Sequence, residues 1–216
     1  MWKFDRKGPS MLQGMWGKKI GMTQVFSEKD KVVPVTVIDV QNWIVTNIKT
    51  QDRDGYDAVQ VGLIRPKYAS ADFASEWLKK TAKYFSFLRE VSRSELSEDV
   101  VIGKPIDILA ILNAGQKVDV FGITKGCGFQ GAVKRHGYSG GRASHGPRFG
   151  RRPGSLSFMR SEGKVIKGKG MPGHMGAAQR VMHKLEVVKI DDESRIVLVK
   201  GSVPGKAGSL VFMRKV

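Results

Sequence analysis

The sequence predicts a mainly β protein of the α+β class: a small barrel of short antiparallel strands, one helical insertion, and a long basic, glycine-rich looped extension. Three observations carry this expectation. β-Branched runs recur at short intervals with turn residues between them. One stretch, Ser70 to Leu88, changes to helical spacing. Between Lys125 and Lys184, thirteen Lys and Arg residues face a single acid, Glu162, a local balance of +12 within a chain total of +17.

The elements follow in order. Met22–Phe26 reads as a strand. Val32–Val40 is β-branched and bounded by charge, with Pro34 placed near its start or on an edge. Trp43–Ile48 follows the short Gln41-Asn42 turn, and Ala58–Ile64 follows the turn-rich Asp52–Gly55. Phe73, Trp77, Phe85 and Leu88 then fall at helical spacing, with Ser70 as the N-cap, so the spacing predicts a helical insertion over about 69–91. Its aromatic residues read as core. Lys79 and Lys83 lie off that stripe and Lys80 at its edge, which reads as a solvated face. Strands resume at Pro105–Leu109 and Lys117–Thr124. Leu185–Ile190, Arg195–Lys200 and Ser209–Met213 close the chain.

The body is therefore expected at 11–124 and 185–216, with the basic arm at 125–184. A segment so charged and so poor in large apolar groups cannot bury enough surface to fold alone. A structureless loop of that length is expected to become ordered on a partner, and a polyanion with an irregular surface, structured RNA, fits its charge. Residues 1–10 read as an extension without a role in the fold, with Met11 as an alternative start. They contain no apolar stretch of signal-peptide type.

Composition excludes several classes. The single cysteine, Cys127, rules out an internal disulfide framework. No apolar run approaches the roughly 20 residues that span a bilayer, and no amphipathic helix accompanies the basic region, so no membrane partner is expected. Gly126-Cys127-Gly128-Phe129-Gln130-Gly131 matches G-x-G-x-x-G after a strand. The dinucleotide reading fails, because no helix pattern opens there and no acid follows about 20 residues on. The better reading is backbone that must pass close to something. His136, His145, His174 and His183 cluster in sequence with Cys127 but lack metal-site spacing, so stacking on bases or bonding phosphate is expected of them. No metal, cofactor or small-molecule substrate is expected.

Arg148-Phe149-Gly150-Arg151-Arg152-Pro153-Gly154 sets three guanidinium groups around a ring and tight turns. Arginine pairs bidentately with phosphate and stacks on bases. The return limb, Lys164 to Gly176, combines lysines with glycines that permit close approach. The RNA-contacting residues expected on this basis are Lys125, Lys134, Arg135, Arg142, His145, Arg148, Arg151, Arg152, Arg160, Lys164, Lys167 and Lys169, with Phe149, Phe158 and His174 as stacking groups. Two rival readings share the charge pattern: a nucleoid-type DNA binder and an RNA-modifying enzyme. The enzyme would have only Glu162 and Cys127 of the arm to work with.

Gly17-Lys18-Lys19-Ile20-Gly21-Met22-Thr23-Gln24-Val25-Phe26 resembles the opening signature of the ribosomal protein L3 family. Lys125–Gly131, His145-Gly146, Pro153-Gly154-Ser155, Lys167–Gly176 and Val199–Gly205 follow in that family's order, so the resemblance covers roughly residues 11–216. It implies a translation-factor-like barrel on the outer face of the large ribosomal subunit and an arm entering the rRNA. The arm tip, Ser155, Leu156, Ser157, Phe158, Met159 and Arg160, would approach the peptidyl transferase centre and do no chemistry. The partners implied are large-subunit rRNA, bound early in assembly, and neighbouring large-subunit proteins. The location implied is the ribosome, in the cytoplasm or in an organelle's matrix or stroma. Some bacterial members carry a methylated glutamine at the tip. No glutamine lies between Gly154 and Gly163 here, and Phe158 takes that place. The stretch from Gly146 to Pro153 is also about one residue shorter than the family pattern.

Overall fold

A computed structural model describes residues 12–27, 30–71, 73–92, 100–106, 111–142, 144–146, 150–157 and 163–216. The chain divides into two compact units. One holds the described residues through Ile123 and from Arg180 onward; the other is Thr124–Gln179.

The first unit is built on a six-stranded sheet of β1 (Gly14–Phe26), β2 (Val32–Asp39), β6 (Lys117–Ile123), β9 (Gln179–Asp191), β10 (Ile196–Lys200) and β11 (Leu210–Lys215). The order is β1-β11-β6-β9-β10-β2, and β2 pairs back to β1, so the sheet closes on itself. Met15 faces Met213 across β1 and β11, and Val197 faces Ile38 across β10 and β2. Side chains alternate across a strand, which turns one set inward. Val118, Val120, Val187, Val197, Val199, Val211 and Met213 fill that inside with no more than traces of exposure. Each such side chain contributes about 1.5–3 kcal/mol by leaving water.

β1 begins at Gly14, well before the Met22 expected from sequence. Its first half carries glycines and lysines, which disguise it. Gly17 is there for closeness: a Cβ at that position would stand 3.0 Å from Val40 and run into Ile38. Lys19 is buried and donates from Nζ to the carbonyls of Val203 (2.7 Å) and Gly205 (3.1 Å), fastening the loop before β11. β9 likewise starts at Gln179 rather than Leu185.

A second sheet of β3 (Trp43–Lys49), β4 (Ala58–Ile64) and β5 (Phe85–Ser92) runs in the order β3-β4-β5. The helical turn α1 (Gln51–Asp54) joins its first two strands, with Gly55 closing the turn. β5 corrects the expected helical insertion over 69–91. Among the described residues only two single turns form there, α2 (Glu76–Lys79) and α3 (Thr81–Tyr84), separated at Lys80, whose φ of −123° is not helical. The residues from Phe85 on are strand. The cause is a bulge. Ile64 pairs with Phe85 and Leu63 with Phe87, so Ser86 is an extra residue. It puts Phe85 and Leu88 on one face at a spacing of three, which imitates a helix. The core assignment holds for Trp77 and Phe85, with Phe73 and Tyr84 partly buried against them, but not for Phe87, which is exposed. Trp77, 5% exposed, stacks on Tyr84 at 5.1 Å and meets Phe73 and Phe85 edge-on. Lys79, Lys80 and Lys83 are exposed. Of the strand expected at Pro105–Leu109, Pro105 makes a single bridge to Ile44, and 107–109 lie outside the described residues.

Candidate nucleic-acid interface

The unit Thr124–Gln179 is not the structureless loop expected from its composition. β7 (Gly128–Gln130) pairs antiparallel with β8 (Gly173–Met175), setting Gly128 opposite Met175, Phe129 opposite His174 and Gln130 opposite Gly173. The Cys127 N–H extends this ladder to the Met175 carbonyl at 2.8 Å. The short helix α4 (Ala132–His136) follows and ends at Gly137 in the left-handed region. Lys134, Arg135 and His136 occupy its last turn, where cations complement the exposed carbonyls.

The return limb is tied to this helix through backbone carbonyls. Arg135 Nη1 donates to the Met171 carbonyl at 2.7 Å, and His136 Nε2 lies 3.1 Å from the same oxygen. The Tyr138 hydroxyl donates to the Gly170 carbonyl at 3.0 Å. Gly176 is required where the limb turns back. Its φ is +77°, and a Cβ there would collide with the Lys125 carbonyl. By contrast, a Cβ on Gly131 of the G-x-G-x-x-G stretch would meet nothing within 4 Å.

Of the residues expected to contact RNA, Lys125, Lys134, Arg135, Arg142, His145, Arg151, Arg152, Lys164, Lys167, Lys169 and His174 are all exposed. The Arg135 guanidinium also holds the limb, so its role is partly architectural. Gly137–Gly141 and Arg152–Gly154 line a concavity of about 550 Å³ that gathers glycine backbone around one guanidinium. Ser155 and Ser157 are exposed with their hydroxyls 3.1 Å apart, and Leu156 is half-buried. Arg148, Phe149, Phe158, Met159 and Arg160 lie outside the described residues.

Sequence reasoning missed two features. Phe129, named only as a letter of the glycine motif, is 69% exposed, and its signal was an aromatic flanked by glycine in a basic segment. The other is Asp119, in the first unit. Its carboxylate accepts from the Lys184 backbone N–H (2.9 Å) and Arg214 Nη2 (3.0 Å), and lies 3.1 Å from His183 Nδ1. Burial pushes this carboxyl up, but these three neighbours outweigh it and hold the group below its usual range. Its partners are far away in the sequence, so no local pattern announces them. They serve the backbone: Lys184 has φ +54°, and the carboxylate receives its N–H.

Among the described residues, no group of three or more His, Cys, Asp or Glu side chains is placed to hold a metal ion. None of their helices is long and apolar enough to cross a membrane. The described cations of the glycine-rich unit are exposed, which suits a polyanionic partner such as the RNA of a ribonucleoprotein.

Comparison with known proteins makes this specific: the chain belongs to the ribosomal protein L3 family. The family model described as Ribosomal protein L3 matches residues 89–195. A protein named large ribosomal subunit protein uL3, from Alkaliphilus metalliredigens, is 43% identical over 214 residues, covering 95% of this chain and 98% of the relative. One of the same name from Shouchella clausii is 44% identical over 204 residues, covering 94% and 98%. The Herpetosiphon aurantiacus protein of that name is 43% identical over 208 residues, covering 95% and 97%. The family is one of structural ribosomal constituents, which removes the RNA-modifying enzyme from consideration.

Proposed function

We propose that this chain is a structural constituent of the large ribosomal subunit that binds large-subunit rRNA directly and supports early assembly. The observation that carries the reading is the way the unit Thr124–Gln179 is held. Its tertiary ties end on neutral carbonyls of Gly170 and Met171, while its exposed cations outnumber the one acid of the segment. Cations in excess of acids on a fixed frame attract phosphate and release its counterions. The closed sheet acts as a translation-factor-like barrel that meets neighbouring large-subunit proteins. The tip around Ser155–Arg160 reaches toward the peptidyl transferase centre. The protein works on the ribosome in the cytoplasm.

The test is ultraviolet cross-linking in cells with sequencing of the attached nucleic acid. Cross-links are expected to concentrate on large-subunit rRNA, with peptides of 125–184 carrying them. Cross-links scattered over DNA or messenger RNA would overturn the reading in favour of a general polyanion binder. Deleting 146–172 is expected to leave the closed sheet folded and to impair subunit assembly. Normal subunit profiles in that strain would refute the assembly role.

A further inference from the structure

We infer that Phe129 and His174 together form a stacking platform for one unpaired nucleobase, an inference that rests on the RNA-binding reading above. The two residues are directly opposed on β7 and β8, with ring centroids 6.1 Å apart and planes at 83°. Edge-to-face packing covers only one ring face of such a pair. The rest of the Phe129 ring is open to solvent.

Isolated exposed apolar residues are common and need no explanation. Phe129 differs from them in its setting. It belongs to a three-residue ladder whose neighbours are built to leave room. Added Cβ atoms at Gly128 and Gly131 would meet nothing within 4 Å, and one at Gly126 would meet only the Ala177 methyl at 3.6 Å. The glycines put no side chain beside the ring, which is 69% exposed. The ladder itself is fixed from both sides. Cys127 bonds Met175 on one, and Arg135 and His136 reach Met171 on the other. Exposed Lys125 and Lys134 flank the motif in sequence and supply charge for the phosphates of the nucleotide whose base would stack. An aromatic face on a rigid frame beside cations is the arrangement that takes unpaired bases without regard to sequence, because every base has a π face. A folded protein partner is disfavoured, since one ring ringed by glycine presents no continuous apolar patch.

The experiment uses the purified full chain and transcribed large-subunit rRNA, with Kd measured by filter binding across a potassium chloride series. Phe129→Leu keeps an apolar side chain but removes the π face. It is expected to weaken binding roughly tenfold, the order of one lost base–aromatic stack, with an unchanged slope of log Kd against log salt. Phe129→Trp is expected to stay within about twofold of the original chain, since a larger π face still stacks. Lys125→Gln serves as the electrostatic comparison and is expected to reduce the salt slope by about one phosphate contact. The platform is overturned if Phe129→Leu binds as tightly as the original chain. It is equally overturned if Leu and Trp weaken binding alike, which marks a packing role, or if Leu changes the slope. An original chain that shows no preference for rRNA over duplex DNA overturns the broader reading and the platform with it.

Discussion

Replacing Asp119 by Asn tests whether a buried carboxylate, rather than the strand ladder, holds the backbone of β9 at Lys184. The side chain of Asp119 is only 7% exposed. The asparagine amide keeps one oxygen for the Lys184 N–H but turns an N–H₂ toward Arg214 and His183. Two charge-assisted contacts are thereby lost. Both partners face water, Arg214 at 47% and His183 at 69% exposure, so each loss is worth up to about 1 kcal/mol, for a total of about 1–2 kcal/mol. Asp119→Ala also strands the Lys184 N–H, which adds about 1–3 kcal/mol. Urea unfolding of the full chain reads the difference. At about 2 kcal/mol per molar, Asn is expected to lower the midpoint by roughly 0.5–1 M. The pH dependence follows from a carboxyl held below the ordinary carboxylate range. The folded form takes up its proton at lower pH than the unfolded chain does. Its contribution is therefore complete above the unfolded value and is lost as pH falls from there through the lower folded value. The gap between the original chain and Asn should be full at pH 7 and shrink as pH falls below the ordinary carboxylate range. An Asn variant as stable as the original at pH 7, or a gap that widens in acid, would refute the reasoning.

Trp77→Ala should cost about 3–5 kcal/mol, because it removes the ring against which Tyr84, Phe73 and Phe85 pack; a change in thermal midpoint of less than a degree or two would contradict that core. Gly176→Ala pairs a left-handed backbone with a clash against the Lys125 carbonyl, so it should cost at least 1–2 kcal/mol locally and speed amide exchange at Cys127, whose N–H is tied to Met175. Arg152→Gln should weaken rRNA binding across sequences and lower the salt slope by about one, with thermal stability unchanged, because this guanidinium is exposed.

What could be read from the sequence depended on how local the cause was. Val32–Asp39, Ala58–Ile64 and Ile196–Lys200 are dense in β-branched residues, and each forms within a residue of its expected limits. The first half of β1 was hidden because Gly17 is selected by the distance to Ile38 and Val40, residues of another strand. β5 was misread because a bulge changed the period that identifies a strand. In the basic unit, charge and glycine announced a polyanion partner. The ties from Arg135, His136 and Tyr138 to the return limb span more than thirty residues, and no spacing rule reports them.

Those ties also explain how a segment with one acid can hold a shape while keeping its charge. Ordering a polycation through salt bridges would cancel the field that draws phosphate to it. Here Arg135, which helps hold the frame, donates to a carbonyl oxygen, which carries no net charge. Arg135 retains its full positive charge while bonded to Met171, and Tyr138 holds Gly170 without any charge at all. The described lysines and arginines beyond the ties, from Lys125 to Lys169, stay exposed. The body follows the opposite rule. Asp119 and Glu186 neutralise Arg214 and Lys200, so charge there is spent on stability rather than on attraction at a distance. Acidic residues are therefore distributed by task. They are used where the chain binds itself, and all but one are kept out of the segment proposed to bind RNA.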